Sequence, residues 1–512
     1  MRPETIDSQP RRQFLRTLSA AGAAVSLQQF GFLRRLPQVS ASETQLAPNA
    51  VQFSADIEPL VRLLEETPRD RIVSVFAAKI QSGTSYREIL TALLLAGVRN
   101  VQPRPSVGFK FHAVLVVNSA HLASLAAPDG DRWLPIFWAL DYFKSSQAQD
   151  EREGDWTLAA VDESRLPPSH RARQAFREAM DAWDVEAADV AVASLCRSAS
   201  ASAVFDLMAH YGCRDYRSIG HKAIYVANAF RTLQCIGWRY SEPVLRSLAY
   251  ALLNHSGEPN PATSDLAADA AWKVTQAKID ALDEQADGGR VDSAATLSLL
   301  DTLRTATPSE AVAATVELLS RGVASQSISD ALFLSAAEML SQQPGIISLH
   351  AATTTNAMQF AYRTAHEEPT RRELMLQNAA FIPHFRKSME SRGEVGLARI
   401  DATVEETPQQ TPLDVDEIFT LVSTNRNQAA SAMRYYLNAE GRPERLINAA
   451  QRLVFLKGTD SHDYKFSSAA LEDYYAVSPP FRNAYLASAA HLLHGSEDRD
   501  NGLIAQVRSA LE

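Results

Sequence analysis

Cysteine is nearly missing from this 512-residue chain, which holds only Cys196, Cys213 and Cys235. Three cannot all pair, and their spacing fits no CxxC ligand pattern, so the fold does not rest on a disulfide framework, though one bridge stays open. Glycine is scarce at 21 residues, and β-branched runs are few, which argues against a sheet-built fold. After the N-terminal region the chain nowhere runs to about 18 consecutive apolar residues, the length that reads as a membrane-spanning helix. Lys and Arg form no long cluster in a chain of net charge −10, which removes the electrostatic footprint of a nucleic-acid binder. GxGxxG, Walker A, GxSxG, CxxCH and EF-hand patterns are all missing, and each takes a reaction class with it. His366-Glu367-Glu368-Pro369 stops short of HExxH.

What the chain has is 46% apolar and 21% charged residues, the balance of a soluble globular protein, in a composition that leans to helix. Near its start stands Pro10-Arg11-Arg12-Gln13-Phe14-Leu15-Arg16, which resembles the twin-arginine export signal. A short, weakly apolar stretch from Leu18 to Val25 follows, and Val39-Ser40-Ala41 offers small residues to a peptidase. Residues 1–41 therefore read as a twin-arginine signal peptide, and residues 42–512 as a single helical domain. The expected partner is the twin-arginine translocation machinery, and the expected location is the periplasm or another exported site. The mature part carries 44 Lys/Arg against 58 Asp/Glu, a formal charge of −14, and is expected to have no membrane span. This route moves folded proteins, often with a cofactor already bound.

Self-similarity is the next signal. Phe111-His112-Ala113 through Asn118-Ser119 has counterparts at Gly220-His221-Lys222 through Asn228-Ala229 and Leu349-His350-Ala351 through Asn356-Ala357. A more divergent copy begins Ser461-His462-Asp463. The histidines are 109, 129 and 112 residues apart. An apolar helical run precedes each: Ile89 to Ala96, Val204 to Tyr211, Ala331 to Leu340, Leu446 to Phe455. The first two runs end in Gly97-Val98-Arg99-Asn100 and Gly212-Cys213-Arg214-Asp215, where glycine reads as a helix C′ residue. Pro135, Pro243, Pro369 and Pro480 then mark the starts of following helices. Four units result, roughly 70–190, 195–310, 325–400 and 415–505, in an all-α repeat array that is either an α/α toroid or a superhelix. Residues 145–170, 254–265, 283–292 and 405–412 read as linkers or surface loops. Only Ala113 to Val117 is β-branched enough to be ambiguous, and its sister copies are helical.

A histidine at a helix start sits near the positive end of the dipole, which disfavours its protonation and suits it to ligate metal or accept a proton. His112, His221, His350 and His462 are thus candidate catalytic residues and candidate ligands for a transition metal, iron or zinc. In a closed ring of units at least three of them should face one cavity, whereas an open superhelix keeps them apart. Asp460 and Asp463 are candidate acceptors orienting His462. His121 and His210 are candidates to line the same cavity and hold a cofactor. His491 and His494, an i, i+3 pair, read as the polar edge of an amphipathic helix rather than a ligand face. The competing reading gives each repeat histidine a structural bond to its own local carbonyl.

Helical units opening His-x-x-x-x-x-x-Asn-Ala, with His221-Lys222-Ala223 followed by Ala229-Phe230-Arg231-Thr232-Leu233, and His350 followed by Leu374 to Phe381, resemble the questin oxidase-like family over about Ser85 to His494. The resemblance implies an all-helical protein, a Baeyer–Villiger-type oxygenation that opens an anthraquinone ring with NADPH, and histidines in the active cavity. The export signal departs from that reaction, because NADPH is a cytoplasmic reductant. Two functions follow: an exported oxidoreductase or metal-dependent enzyme acting on a small molecule, or a non-catalytic periplasmic helical scaffold or binding protein.

Overall fold

In the computed structural model the described residues are 49–512, apart from 105, 254–256, 258, 280–288 and 403–412. The twin-arginine motif and Val39-Ser40-Ala41 lie outside them, as do parts of the second and third polar segments and the whole of the fourth. Residues Ala50–Glu512 form one unit. Among the described residues the chain is all-α, and the extended pairings are two isolated bridges, Ala50 with Ala159 and Arg290 with Val323.

Ten helices position the site: α1 Tyr86–Asn100, α2 Val117–Ala126, α3 Leu134–Glu153, α4 Ala201–Gly212, α5 His221–Ile236, α6 Ser325–Gln342, α7 Ile346–Thr364, α8 Glu368–Glu390, α9 Pro443–Lys457 and α10 Ser461–Asp473. Helix α2 packs on α5, α5 on α7, α7 on α10, and α10 returns to α2, so the four helices that follow the repeat histidines close a circuit. Against each packs the helix that precedes it in the chain: α1, α4, α6 and α9. This double layer is compatible with the helical repeat array.

The inner helices are buried over most of their surface, as helices at the centre of a large protein are. From Ile347 to Met358 every residue of α7 is buried, and the run is rich in Ala, Ser and Thr. Small side chains let neighbouring axes approach. Gly220 shows the limit: its φ is +83°, and a Cβ there would stand 2.1 Å from Thr354 Oγ1, so both backbone and space require glycine.

Gly97 and Gly212 correct the sequence reading. Neither is a left-handed C′ residue, for Gly97 lies inside α1 and Gly212 is the last residue of α4. A Cβ at Gly97 would come within 2.9 Å of Val114 Cγ2, and one at Gly212 within 2.6 Å of Val226 Cγ2. They are shared because the outer helix touches the histidine-bearing segment there.

Several helix starts do follow their sequence signals. Ser85 and Glu88 form a reciprocal cap on α1, with Glu88 N–H donating to Ser85 Oγ at 3.3 Å and Ser85 N–H to Glu88 Oε2 at 2.8 Å. Pro135 and Pro369 stand in the first turns of α3 and α8, where the N–H they lack has no intrahelical acceptor. The Ala113 to Val117 segment is helical, a single turn His112–Leu115 leading through Val116 into α2. The first polar segment is not wholly a linker, since residues up to Glu153 continue α3. All three cysteines are free.

Candidate metal centre

The histidines enter the centre by two routes. His112 and His221 follow turns in which the residue three positions earlier is left-handed, Phe109 at φ 52° and Ser218 at φ 56°. Those conformations turn each carbonyl back on the ring: Nδ1 of His112 lies 2.8 Å from Phe109 O, and Nδ1 of His221 lies 2.6 Å from Ser218 O. His350 sits one turn inside α7 and reaches Ile346 O, four residues back, at 2.6 Å. His462 differs, its Nδ1 meeting the Asp460 carboxylate at 2.5 Å while Asp460 also caps the first turn of α10.

Carbonyl oxygens only accept, so Nδ1 of His112, His221 and His350 carries the proton, and Nε2 of each neutral ring is a bare lone pair. Neutrality follows from burial, which pushes all three far below the ordinary imidazole range. The charge of Lys465 and the neighbouring rings act in the same direction. Nε2 of His221 then stands 3.0 Å from Nε2 of His112 and 3.0 Å from Nε2 of His350. No proton is left to bridge either pair. His462 completes the set, its ring centroid 4.5 Å from that of His112 and 5.3 Å from that of His350. One ligand atom from each of the four lies within 4.8 Å of the others.

The fit to a metal can be tested on these distances. Imidazole nitrogens bind first-row metals at about 2.0–2.1 Å. With arms of about 2.1 Å, nitrogens 3.0 Å apart subtend about 91° at the ion, whereas a tetrahedral pair would stand about 3.4 Å apart. The donor set is all nitrogen and the Nδ1–H groups are all held, as second partners do around metal-bound histidines. The residues fit a transition metal.

The four imidazoles line a cavity of about 660 Å³. One wall is a face of α3, with Tyr142, Ser145, Ser146 and Gln149 at helical spacing. Phe109, Ile219 and Ile346 supply apolar surface, and Arg392 adds a guanidinium. Behind the rings lies a lysine that the sequence reading passed over. Lys465, one turn after His462, is buried, and its Nζ has no hydrogen-bond partner among the described residues. Burial lowers it to about 7. Its only signal in the sequence was its i+3 spacing from His462.

Two candidates fall elsewhere. His121 and His210 do not line this cavity. Nine residues of near-continuous helix carry His121 about 13 Å beyond His112, where its Nδ1 meets Tyr86 Oη at 2.9 Å. His210 pairs with Glu373 at 2.7 Å and packs edge-on to Trp272. Asp460 does orient His462, but Asp463 accepts instead from the Thr459 and Asp460 N–H groups, both at 3.0 Å. His494 stands 3.3 Å from Asp463 and 3.0 Å from Asp498, and these carboxylates raise its pKa against the opposing effect of burial.

Both halves of the sequence dichotomy are present at once. Three repeat histidines bond local carbonyls through Nδ1, and that bond is what aims Nε2 into the shared cavity. Compared with models of protein families, with curated proteins and with solved structures, the chain matches none.

Proposed function

We propose that His112, His221, His350 and His462 hold one transition-metal ion, and that the chain is an exported metal-dependent enzyme, an oxidoreductase acting on a small molecule with dioxygen as oxidant. The observation that carries the metal is the pair of Nε2–Nε2 separations of 3.0 Å between neutral rings whose only protons point away. Lone pairs so placed repel one another unless a cation lies between them. Separations that correspond to nearly right angles favour iron over zinc, which prefers a tetrahedron. A bound ion would supply Lewis acidity and one-electron chemistry. The protein's own residues hold the rings, keep them neutral, and offer a cavity in which a substrate meets the open side of the centre. Oxygenation as the reaction class is what the resemblance of these histidine-led helices to the questin oxidase-like family would imply.

Metal analysis of the purified mature protein tests the reading. Roughly one ion per chain is expected, with iron as the native metal. A chain that carries no metal and takes up none on incubation with iron(II) or zinc(II) returns the molecule to the scaffold reading. Export by the twin-arginine route is supported by Arg11-Arg12 and Val39-Ser40-Ala41. Replacing both arginines by lysine should leave unprocessed protein in the cytoplasm; unchanged processing shows another route.

A further inference from the structure

We infer that the cavity takes an organic carboxylate, and that Arg392 is the residue that recognises its charge. The inference rests in part on the metal reading, because four neutral ligands leave a divalent ion's charge uncompensated at the centre.

The charged side chains that line the cavity, besides its imidazoles, are Lys110, Arg392 and Asp460. The one lining carboxylate and the lining ammonium both have partners within the wall. Asp460 is engaged by His462, and Lys110 is closed off by Asp150 and Glu153, each at 2.8 Å. Arg392 alone of the lining charges has no ion pair among the described residues, and it is exposed two residues beyond the end of α8. Three long helices, α5, α7 and α10, begin at this cavity, so their positive dipole ends add to the field. The buried imidazoles with their lone pairs inward show that these helix starts frame a site rather than a bare surface. Phe109, Ile219 and Ile346 ask for an apolar body, and a volume of about 660 Å³ lies in the range that holds small organic ligands. A guanidinium at the rim and an apolar wall below it fit a carboxylate on an apolar skeleton, whose far end then lies toward the imidazoles.

Calorimetric titration of the purified protein with benzoate and with its uncharged isostere benzamide separates charge from shape. Metal content is measured on the same samples. Benzoate is expected to bind about tenfold tighter than benzamide, and Arg392→Gln should remove that preference while leaving benzamide binding and metal content unchanged. Arg392→Lys should restore part of it. Equal affinity for the two probes, or benzoate binding indifferent to Arg392→Gln, overturns the inference. Metal-free protein that still selects benzoate through Arg392 overturns the metal reading and keeps the carboxylate site. Metal-loaded protein without the preference does the reverse.

Discussion

The inner helices α5, α7 and α10 bury polar groups at both ends, and the two ends treat them in opposite ways. At the far end Arg231 pairs with Glu472 at 2.8 Å and Asn356 Oδ1 at 3.0 Å. Asn356 in turn donates to Asp473 at 2.7 Å, and Tyr485 Oη lies 3.0 Å from the other carboxyl oxygen. Burial raises the Asp473 carboxyl well above its usual range, and each of these groups finds a partner of opposite kind within the cluster. At the near end acceptor faces acceptor. A buried network that satisfies itself fastens helices together; one whose members share the same polarity requires a missing partner of the opposite kind. On the proposed reading, function falls at the histidine end, and the far end holds the helices together.

The sharpest way to break that contrast is His221→Ala, which removes the ring closest to two others. Metal affinity, measured by competition with a chelating dye, should fall by at least about 100-fold, while far-ultraviolet dichroism stays helical. Retained affinity would place the ion elsewhere.

Acid should separate the ends next. The buried rings resist protonation, whereas in the unfolded chain they titrate near the ordinary value of about 6.5. Below that pH the unfolded state binds more protons, so the metal-free protein loses stability as pH falls, by up to about 1.4 kcal/mol per pH unit for each ring. Urea midpoints at pH 7.5 and 5.5 measure this. A midpoint that does not move contradicts the neutral, buried assignment.

Asp460→Asn is a smaller perturbation. It keeps an acceptor near His462 but removes the charge that His462 holds down to about 2. A loss of metal affinity of about tenfold is expected, without loss of fold. No change would make His462 a bystander.

At the far end Asp473→Asn should do least. A carboxyl raised in the folded state costs stability as pH rises past its unfolded value of 3.8, and the isosteric amide removes that cost. Its melting temperature at pH 7.5 should equal or slightly exceed the native one, with full metal content. Lost metal would show that the two ends are not independent.

The all-α class was legible from composition and helical periodicity, and the four histidines from the flanking pattern they share in the sequence. The tethers of His112 and His221 were not, since nothing about Phe109 or Ser218 announces a left-handed backbone. Gly97 and Gly212 were noticed for the wrong reason, because a close helix approach and a C′ turn ask for the same residue. Ser145, Ser146 and Gln149 read as linker because a helix face lining a polar cavity carries the composition of a loop. Arg392 and Lys465 gave no sequence signal beyond position, for their meaning depends on their having no charge partner among the described residues.

X-ray absorption at the edge of the bound metal tests the central claim most directly. A first shell of nitrogen at about 2.0–2.2 Å is expected, with outer-shell scattering from three to four imidazoles that falls in His221→Ala. A shell without imidazole scattering, or one containing sulfur, would contradict a four-histidine centre.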